Sequence, residues 1–539
     1  MIIKVLLILA IIFLLFYKTK RSLHMLQQNL YNENNRYIKW LIKNKVQFVD
    51  LDLIIVAILL IEAFVMFDVK NFSLIMLMAI IILMVVLGYK WKIRIDTDQN
   101  KKPLVVTKRI KRLLVTISIL YLIPLVFAYY NIDSEELFWK GILIEGIMIY
   151  LNTFVVFVAN IINHPVEKMV YYHYKRKAIN KLRSMNNLKV IGITGSYGKT
   201  SSKNILSDIL NVKYNALATP KNLNTYYGLM MTINNNLDKF TDIFIAEMGA
   251  YVRGEIKGLC NFVKPKYGIL TTIGTAHLES FGSEENIISA KFELIESLPK
   301  DGIAILNGDD PKQVNYKLKN NVRVIWTGIK NTDSDVRAVN IKCSNKGTNF
   351  DVLFKDDEKK YHFETKLLGE HNVYNILASI ALGREFGISM DELISAVKLV
   401  RPVEHRLELK KLGNFYQIDD AYNSNPVGAK NACSVLSMMD GIKIIVTPGM
   451  VELGEKEAFY NKEFGEEIAE IAKVDYAILI GENKTKPIYE GLITKGFDKD
   501  KIIVFNDVRE AYAFINGLYN GKDDIFALFE NDLPDTYNE

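Results

Sequence analysis

The run Thr194-Gly-Ser-Tyr-Gly-Lys-Thr-Ser201 follows a short β-rich stretch, Leu188–Ile193, and precedes a helical pattern. A strand, a glycine-containing loop, Lys-Thr and a helix form an arrangement that cradles nucleotide phosphates. Backbone N–H groups at the helix start face the anion, Lys199 neutralises β/γ oxygens, and the Thr200 hydroxyl can ligate Mg2+. Gly195 and Gly198 let the backbone approach closely, and Ser196 and Ser201 complete the set expected at the nucleotide. The motif is GxxGKT, shorter than the common GxxxxGKT, so its placement between strand and helix carries much of the argument.

Downstream, short apolar runs at Asp242–Ala246, Tyr267–Ile273, Gly302–Leu306 and Val322–Thr327 alternate with helical stretches. This is the rhythm of a parallel sheet covered by helices. Carboxylates and polar groups recur at the strand ends, where open α/β sheets place ligands: Glu247, His277, Asn307, Asp309 and Asp310. Glu247 and His277 are expected to contact Mg2+, with oxygen ligands holding the metal against triphosphate. A second boundary falls near Arg401-Pro402. Beyond it, Ile442–Val446, Tyr476–Ile480 and Lys501–Phe505 read as strands of a smaller α/β domain. The Thr447–Gly454 stretch reads equally well as a plain βα loop or as a segment near an incoming amine.

The elements ahead of this body are of another kind. Five apolar stretches, Ile2–Tyr17, Leu51–Phe67, Phe72–Tyr89, Leu113–Tyr130 and Gly141–Ile162, read as membrane-spanning helices, most with the length a ~30 Å hydrocarbon core requires. The first lacks a small-residue cleavage site and is read as a retained anchor. Basic residues follow the first span (Lys18 to Lys45), the third (Lys90 to Arg112) and the fifth (Lys168 to Arg183). Positive-inside bias then puts the N-terminus outside and the catalytic part in the cytosol, making a multi-pass protein of the cell membrane. Glu62 and Glu145 lie within spans, where helix packing or placement near the interface is the simpler reading. Residues 165–186 read as an amphipathic interfacial helix against membrane lipids. The expected organisation is a membrane domain over 1–164, a linker over 165–186, a central ATP-binding domain over 187–401 and a C-terminal domain over 402–539.

Composition fits this division. The 539 residues are 50% hydrophobic and 24% charged, and a mean hydropathy of +0.09 excludes wholesale disorder. The net charge of +6 is too small to argue for nucleic acid. Cys260, Cys343 and Cys433 lie far apart without CxxC spacing, against a disulfide framework or a structural zinc site.

Several motifs occur in one order: Thr194–Ser201, Asn222-Leu-Asn224, Glu247-Met-Gly249, Gly254-Glu-Ile256, His277–Ser283, Lys291-Phe-Glu293, Asn307–Asp310, Gly369–Asn375, Glu404–Glu408 and Asp419–Pro426. The series, over residues 187 to about 539, resembles the Mur ligases, most closely the MurF-type branch that adds D-alanyl-D-alanine to a peptidoglycan precursor. The resemblance implies an ATP-dependent amide-bond ligase working through an acyl phosphate, a chemistry that needs charge neutralisation more than proton transfer. It matches Lys199 and Thr200 to the phosphate-loop residues, and Glu247 and His277 to Mg2+ ligands. It matches Lys291 to a lysine whose carbamate serves as a further metal ligand. Asn372 and Asn375 match a pair near adenine, Arg406 and Asp420 match contacts to γ-phosphate and ribose, and Asn222 and Asn224 fall in the substrate-side element. Lys199, Lys291, His277 and Arg406 are thus the expected catalytic set.

The pattern breaks where a MurF-type enzyme carries a soluble domain for the uridine-nucleotide end of its substrate; here the membrane stretches stand. A small amine donor with a cell-envelope carboxylate acceptor, presented lipid-linked at the membrane, is the simplest repair. Poly-γ-glutamate synthetases are the alternative ligases. The Asp419–Pro426 and Glu404–Glu408 elements favour MurF, and the cysteine clusters of the zinc-bearing amidation subunit are absent. A non-catalytic ATP-binding regulator or transport protein is the alternative from another class; the spans show no obvious polar pathway for it.

Overall fold

The computed structural model describes residues 2–43, 58, 61, 70–97, 103–274, 278–421, 425–451, 453 and 456–531. They form two compact units that divide between His173 and Tyr174.

The first unit is helical, with long helices Ile2–Gln28, Lys70–Thr97, Lys108–Tyr130 and Glu135–Tyr150, and the start of Asn152–Arg183. Among the described residues, Ile2–Gln28 and Lys108–Tyr130 are long and apolar enough to cross a membrane. The expected Phe72–Tyr89 span lies inside the helix Lys70–Thr97. The expected Leu51–Phe67 span, apart from Ile58 and Ile61, lies outside the described residues, as does Glu62. The Gly141–Ile162 stretch is not one straight helix. The chain bends by 86° between Tyr150 and Asn152, and the pair counts as a third span only if taken together.

Polar side chains meet at this bend. Lys18 Nζ donates to the carbonyl of Ile149 at 2.7 Å. Asn152 Nδ2 donates to Thr19 Oγ1 at 3.0 Å and to Tyr121 Oη at 2.9 Å, while Ser22 Oγ donates to Asn152 Oδ1 at 2.6 Å. A broken helix inside an apolar bundle frees backbone carbonyls that have no water to turn to, and side chains supply the partners. Glu145 is fully buried in this unit, and its carboxylate makes no hydrogen bond to a described residue. The helix Asn152–Arg183 runs through Pro165, so the expected separate linker over 165–186 is the continuation of the preceding helix. No glycine interrupts it, and one missing N–H at the proline does not stop propagation on either side.

The second unit is built on two sheets. The first contains β1 (Lys189–Thr194), β2 (Ala216–Ala218), β3 (Ile243–Glu247), β4 (Tyr267–Leu270), β5 (Ile303–Asn307), β6 (Arg323–Gly328), β7 (Val336–Ser344), β8 (Gly347–Phe354) and β9 (Asp357–Thr365). Their order is β2-β3-β1-β4-β5-β6-β7-β8-β9. The first seven positions are parallel and β7, β8 and β9 are antiparallel. The parallel strands β1 and β3 are apolar runs buried almost throughout, as strands covered by helices on both faces must be. The connection after β1 runs to β2 on one side of it, and the connection after β3 crosses to β4 on the other. The end of β1 is therefore the switch point where such sheets bind ligands.

The second sheet has β10 (Glu408–Leu412), β11 (Phe415–Asp420), β12 (Ile442–Thr447), β13 (Tyr476–Ile480), β14 (Ile502–Phe505) and β15 (Ile525–Glu530) in the order β10-β11-β15-β12-β13-β14. Only the β10–β11 pair is antiparallel. The expected strands are present, with ends shifted by at most a few residues. The antiparallel β7–β9 segment, the edge strand β2, and β10, β11 and β15 of the second sheet were not expected. The three cysteines are free.

Candidate active site

The loop after β1 leads into the helix Lys199–Leu210, with Gly198 at its N-cap in the left-handed region (φ 81°). At Gly195 the backbone has φ 154°, and a Cβ there would lie 1.9 Å from Thr271 Oγ1. Thr271, just beyond β4, donates to the Tyr197 carbonyl at 2.6 Å. Ser196 N donates to the Thr272 carbonyl and Ser196 Oγ to that of Gly274, both at 2.9 Å. The end of β4 thus braces the loop and leaves no room for a side chain at Gly195. Ser201 follows in the first helical turn.

Lys199 Nζ is held over this loop, donating to the carbonyls of Gly195 at 2.8 Å and Ser196 at 3.0 Å. Burial pushes its ammonium down to about 8, against the upward pull of Glu247, and the Arg406 charge adds to the depression. Such a cation is desolvated and pays little further to meet phosphate oxygens.

Glu247 ends β3, and pairing places it opposite Ile193 of β1, beside the loop. Its carboxylate is buried. Oε1 accepts from Thr200 Oγ1 at 3.3 Å and from Asn224 Nδ2 at 3.0 Å. Oε2 lies 3.1 Å from Lys203 Nζ. A threonine hydroxyl and a carboxylate side by side at a phosphate loop are the hard oxygen donors that suit Mg2+, so the donor set fits the metal. His277 lies outside the described residues.

Lys291 is buried in the helix Glu284–Glu296, with Nζ 5.4 Å from the centre of the Phe281 ring. Burial, then the charge of Lys199, lowers its amine to about 7, while Glu255 and Glu293 pull upward. Among the described residues it makes no hydrogen bond or ion pair.

Asn372 and Asn375 lie buried on the helix Glu370–Glu385. Asn372 Nδ2 is engaged by the Leu368 carbonyl at 2.9 Å. Asn375 backs onto the phosphate loop, its Oδ1 3.4 Å from where a Cβ of Gly198 would stand. Asn222 is exposed, while Asn224 is turned in to Glu247.

The second sheet contributes from its own strand ends. Arg406 is close enough to depress both Lys199 and Lys203. It sits between His405 (φ 59°) and Leu407 (φ 48°), two side-chain-bearing residues in the left-handed region, each costing about 1–3 kcal/mol of strain. Leu407 N donates to Asp420 Oδ1 at 3.2 Å. Burial raises the Asp420 carboxyl, partly offset by Glu530, the Leu407 N–H and Arg406.

Three strand-end residues do other work than expected. Asp309 accepts from the backbone N–H groups of Ile329, Lys330 and Asn331 and from Tyr374 Oη. Asp310 caps the short helix Pro311–Val314 and accepts from Ile273 N, and Asn307 Oδ1 accepts from Asp309 N. These residues tie loops together because each turn leaves N–H groups that a short acceptor can reach. The loop after β12 is held by Asn461, which accepts from Met450 N at 2.8 Å, and by Asn531, which donates to the Gly449 carbonyl at 2.7 Å. Lys203 was missed by the sequence reading. Its only local signal is the four-residue spacing from Lys199, which returns it to the same helix face.

A model of the Mur ligase middle domain matches residues 193–383, and one of the Mur ligase glutamate ligase domain matches residues 405–528. The chain is 33% identical over 326 residues to the UDP-N-acetylmuramoyl-tripeptide--D-alanyl-D-alanine ligase of Bacillus subtilis, covering 60% of this chain and 68% of the relative. For the same-named Escherichia coli protein the figures are 32%, 54% and 65%. A solved MurF structure from Acinetobacter baumannii superposes with a TM-score of 0.59 at 27% identity, over 67% of this chain and 77% of that one. MurF ligase from Thermotoga maritima, in complex with ADP, gives 0.59 at 26% identity over 67% and 80%. With a nucleotide-type loop, a carboxylate at its side and a second sheet bringing an arginine toward both, the chain belongs to the Mur ligase family of ADP-forming acid–amino-acid ligases.

Proposed function

We propose that this protein is a membrane-attached MurF-like ligase that uses ATP and Mg2+ to join a D-alanyl-D-alanine-type amine to a carboxylate of a cell-envelope precursor. The acceptor carboxylate takes the γ-phosphoryl group of ATP, giving an acyl phosphate and ADP. The amine then attacks the carbonyl carbon, a C–N bond forms, the C–O bond to phosphate breaks, and phosphate leaves as the amine loses a proton. Lys199 and the loop N–H groups neutralise the transferring phosphoryl charge, and Arg406 adds to this from the second sheet. Thr200 and Glu247 would hold Mg2+, with His277 and a carbamate on Lys291 as further ligands. An amine lowered to about 7 is about half uncharged at neutral pH, and the uncharged form is the one that adds carbon dioxide. Asn372 and Asn375 would face adenine, Asp420 the ribose, and Asn222 and Asn224 the acceptor.

The observation that carries the reading is the meeting of Thr200, Asn224 and Lys203 on Glu247 beside Lys199. The two apolar helices support attachment to a membrane, and that attachment favours a lipid-linked acceptor. The basic residues that follow the apolar stretches favour a cytosolic catalytic unit, which with an outside N-terminus requires an odd number of spans. The test is phosphate release by detergent-solubilised full chain, with D-alanyl-D-alanine and single amino acids as amines. UDP-linked and lipid-linked peptides serve as acceptors and Lys199→Ala as the blank. Release that needs amine, acceptor and Mg2+ together, and is faster with lipid-linked acceptor, is expected. Turnover confined to the UDP-linked peptide would remove the lipid-linked acceptor from the proposal.

A further inference from the structure

The segment Thr219–Asn224 is pinned at both ends to β3 and the loop that follows it. Thr219 N donates to the Ile245 carbonyl at 3.0 Å, and Thr219 Oγ1 accepts from Glu247 N at 3.2 Å. At the other end Gly249 N donates to the Asn224 carbonyl at 2.9 Å, and Asn224 Nδ2 reaches Glu247 at 3.0 Å. The middle of the segment is held from a different element. Lys203 Nζ, on the helix Lys199–Leu210, donates to the Lys221 carbonyl. Lys221 itself has φ 50°, a bend that a lysine adopts only when its surroundings enforce it. The same ammonium lies 3.1 Å from Glu247 Oε2, with both side chains 1% exposed.

We infer that Lys203 is a positioning residue that locks the carboxylate of Glu247 and the Asn222–Asn224 element to one another. Through its single buried ammonium, order at the Mg2+ side becomes order at the acceptor side. By pairing its charge with Oε2, it leaves Oε1, the oxygen already shared by Thr200 and Asn224, turned toward the phosphate loop. A buried charge is held in one place only when paired on geometry this close, and removing its partner releases it. The inference rests on the metal and acceptor roles proposed above for Glu247 and Asn224.

The test uses the full chain in detergent and a fluorescent ATP analogue, with Lys203→Met, Lys203→Gln and Lys203→Arg. Analogue affinity is measured in EDTA and across a Mg2+ titration, and amide hydrogen exchange is followed over residues 219–224. In Lys203→Met, affinity in EDTA should stay within about threefold of the parent, while the Mg2+ midpoint rises at least about tenfold, a change of roughly 1.4 kcal/mol. Residues 219–224 should exchange faster, with β5 and β6 unchanged. Lys203→Gln keeps a donor for the Lys221 carbonyl without the charge and carries the test if Lys203→Met does not fold. It should slow exchange toward the parent while leaving the Mg2+ midpoint raised. Lys203→Arg should restore part of both. An unchanged midpoint with unchanged exchange at 219–224 would overturn the inference, as would loosening spread evenly over the sheet. If the parent itself shows no Mg2+-dependent affinity, the metal reading of Glu247 fails independently of Lys203.

Discussion

The side-chain amide of Asn224 donates to Glu247 Oε1 across 3.0 Å, the same oxygen that Thr200 Oγ1 reaches at 3.3 Å. The Asn222–Asn224 segment and the first turn after the glycine loop therefore meet on one atom. Asn224→Ala removes a hydrogen bond to a charged acceptor, a loss of about 1.5–3 kcal/mol. Roughly 10- to 100-fold lower kcat/KM follows, with a higher Mg2+ requirement. A Mg2+ titration of phosphate release checks this, and a midpoint within twofold of the parent would count against it.

Gly195→Ala and Gly254→Ala separate a clash from backbone strain. Both glycines have positive φ, but a Cβ at Gly195 would strike Thr271 Oγ1 while one at Gly254 meets nothing within 4 Å. Gly254→Ala should cost about 1–2 kcal/mol of stability and leave nucleotide affinity intact. Gly195→Ala should abolish measurable binding of a fluorescent ATP analogue. Equal affinity in the two variants would sink the assignment of the loop.

Lys291 should bind carbon dioxide. With its amine lowered to about 7 by burial and by Lys199, the uncharged form that reacts is present at neutral pH and is lost as pH falls below that value. Activity should drop in bicarbonate-free buffer, recover on adding bicarbonate, and be absent in Lys291→Ala. Labelled bicarbonate should give a carbamate carbon signal that Lys291→Ala lacks; an identical spectrum in the variant would refute the proposal.

His371 should make the catalytic unit sensitive to acid. Burial lowers its imidazole to about 4, and its Nδ1 has no hydrogen-bond partner among the described residues. The unfolded chain takes up its proton near pH 6.5, whereas the folded chain resists until about 4. The stability owed to the neutral ring is therefore complete above about 6.5 and lost as pH falls toward 4. Thermal unfolding between pH 7 and 4.5 should show a smaller fall in Tm for His371→Leu than for the parent. Parallel curves would exclude the histidine as the cause.

Local patterns in the chain read well where the signal is itself local. The strands β1, β3, β5, β6 and β13 stand out as short apolar runs, and the loop between β1 and its helix stands out by its glycines and Lys-Thr. Strands β7 to β9 do not, because they alternate buried with exposed residues and carry polar faces. The bend after Tyr150 is invisible in hydropathy, since the residues on both sides are equally apolar. What makes it tolerable is the distant Lys18 and the cluster around Asn152. Asp309 and Asp310 look like ligands from their position at a strand end. Only the neighbouring loop, folded back to offer three N–H groups, shows that Asp309 is already satisfied.

The sequence by itself determined the nucleotide-type loop, the order of the ligase motifs and the apolar character of the first third of the chain. All of these are set by residues adjacent or a few positions apart. Tertiary structure alone decided that Lys203 is a buried partner rather than one more solvated lysine on a helix. Its partner comes from β3, more than forty residues on, and reaches it only because β3 pairs beside β1. The strained turn that carries Arg406 is likewise a product of packing, since nothing in a leucine such as Leu407 favours positive φ. Contacts between distant segments carry no local signature, because their energy is realised only when the sheet has brought those segments together.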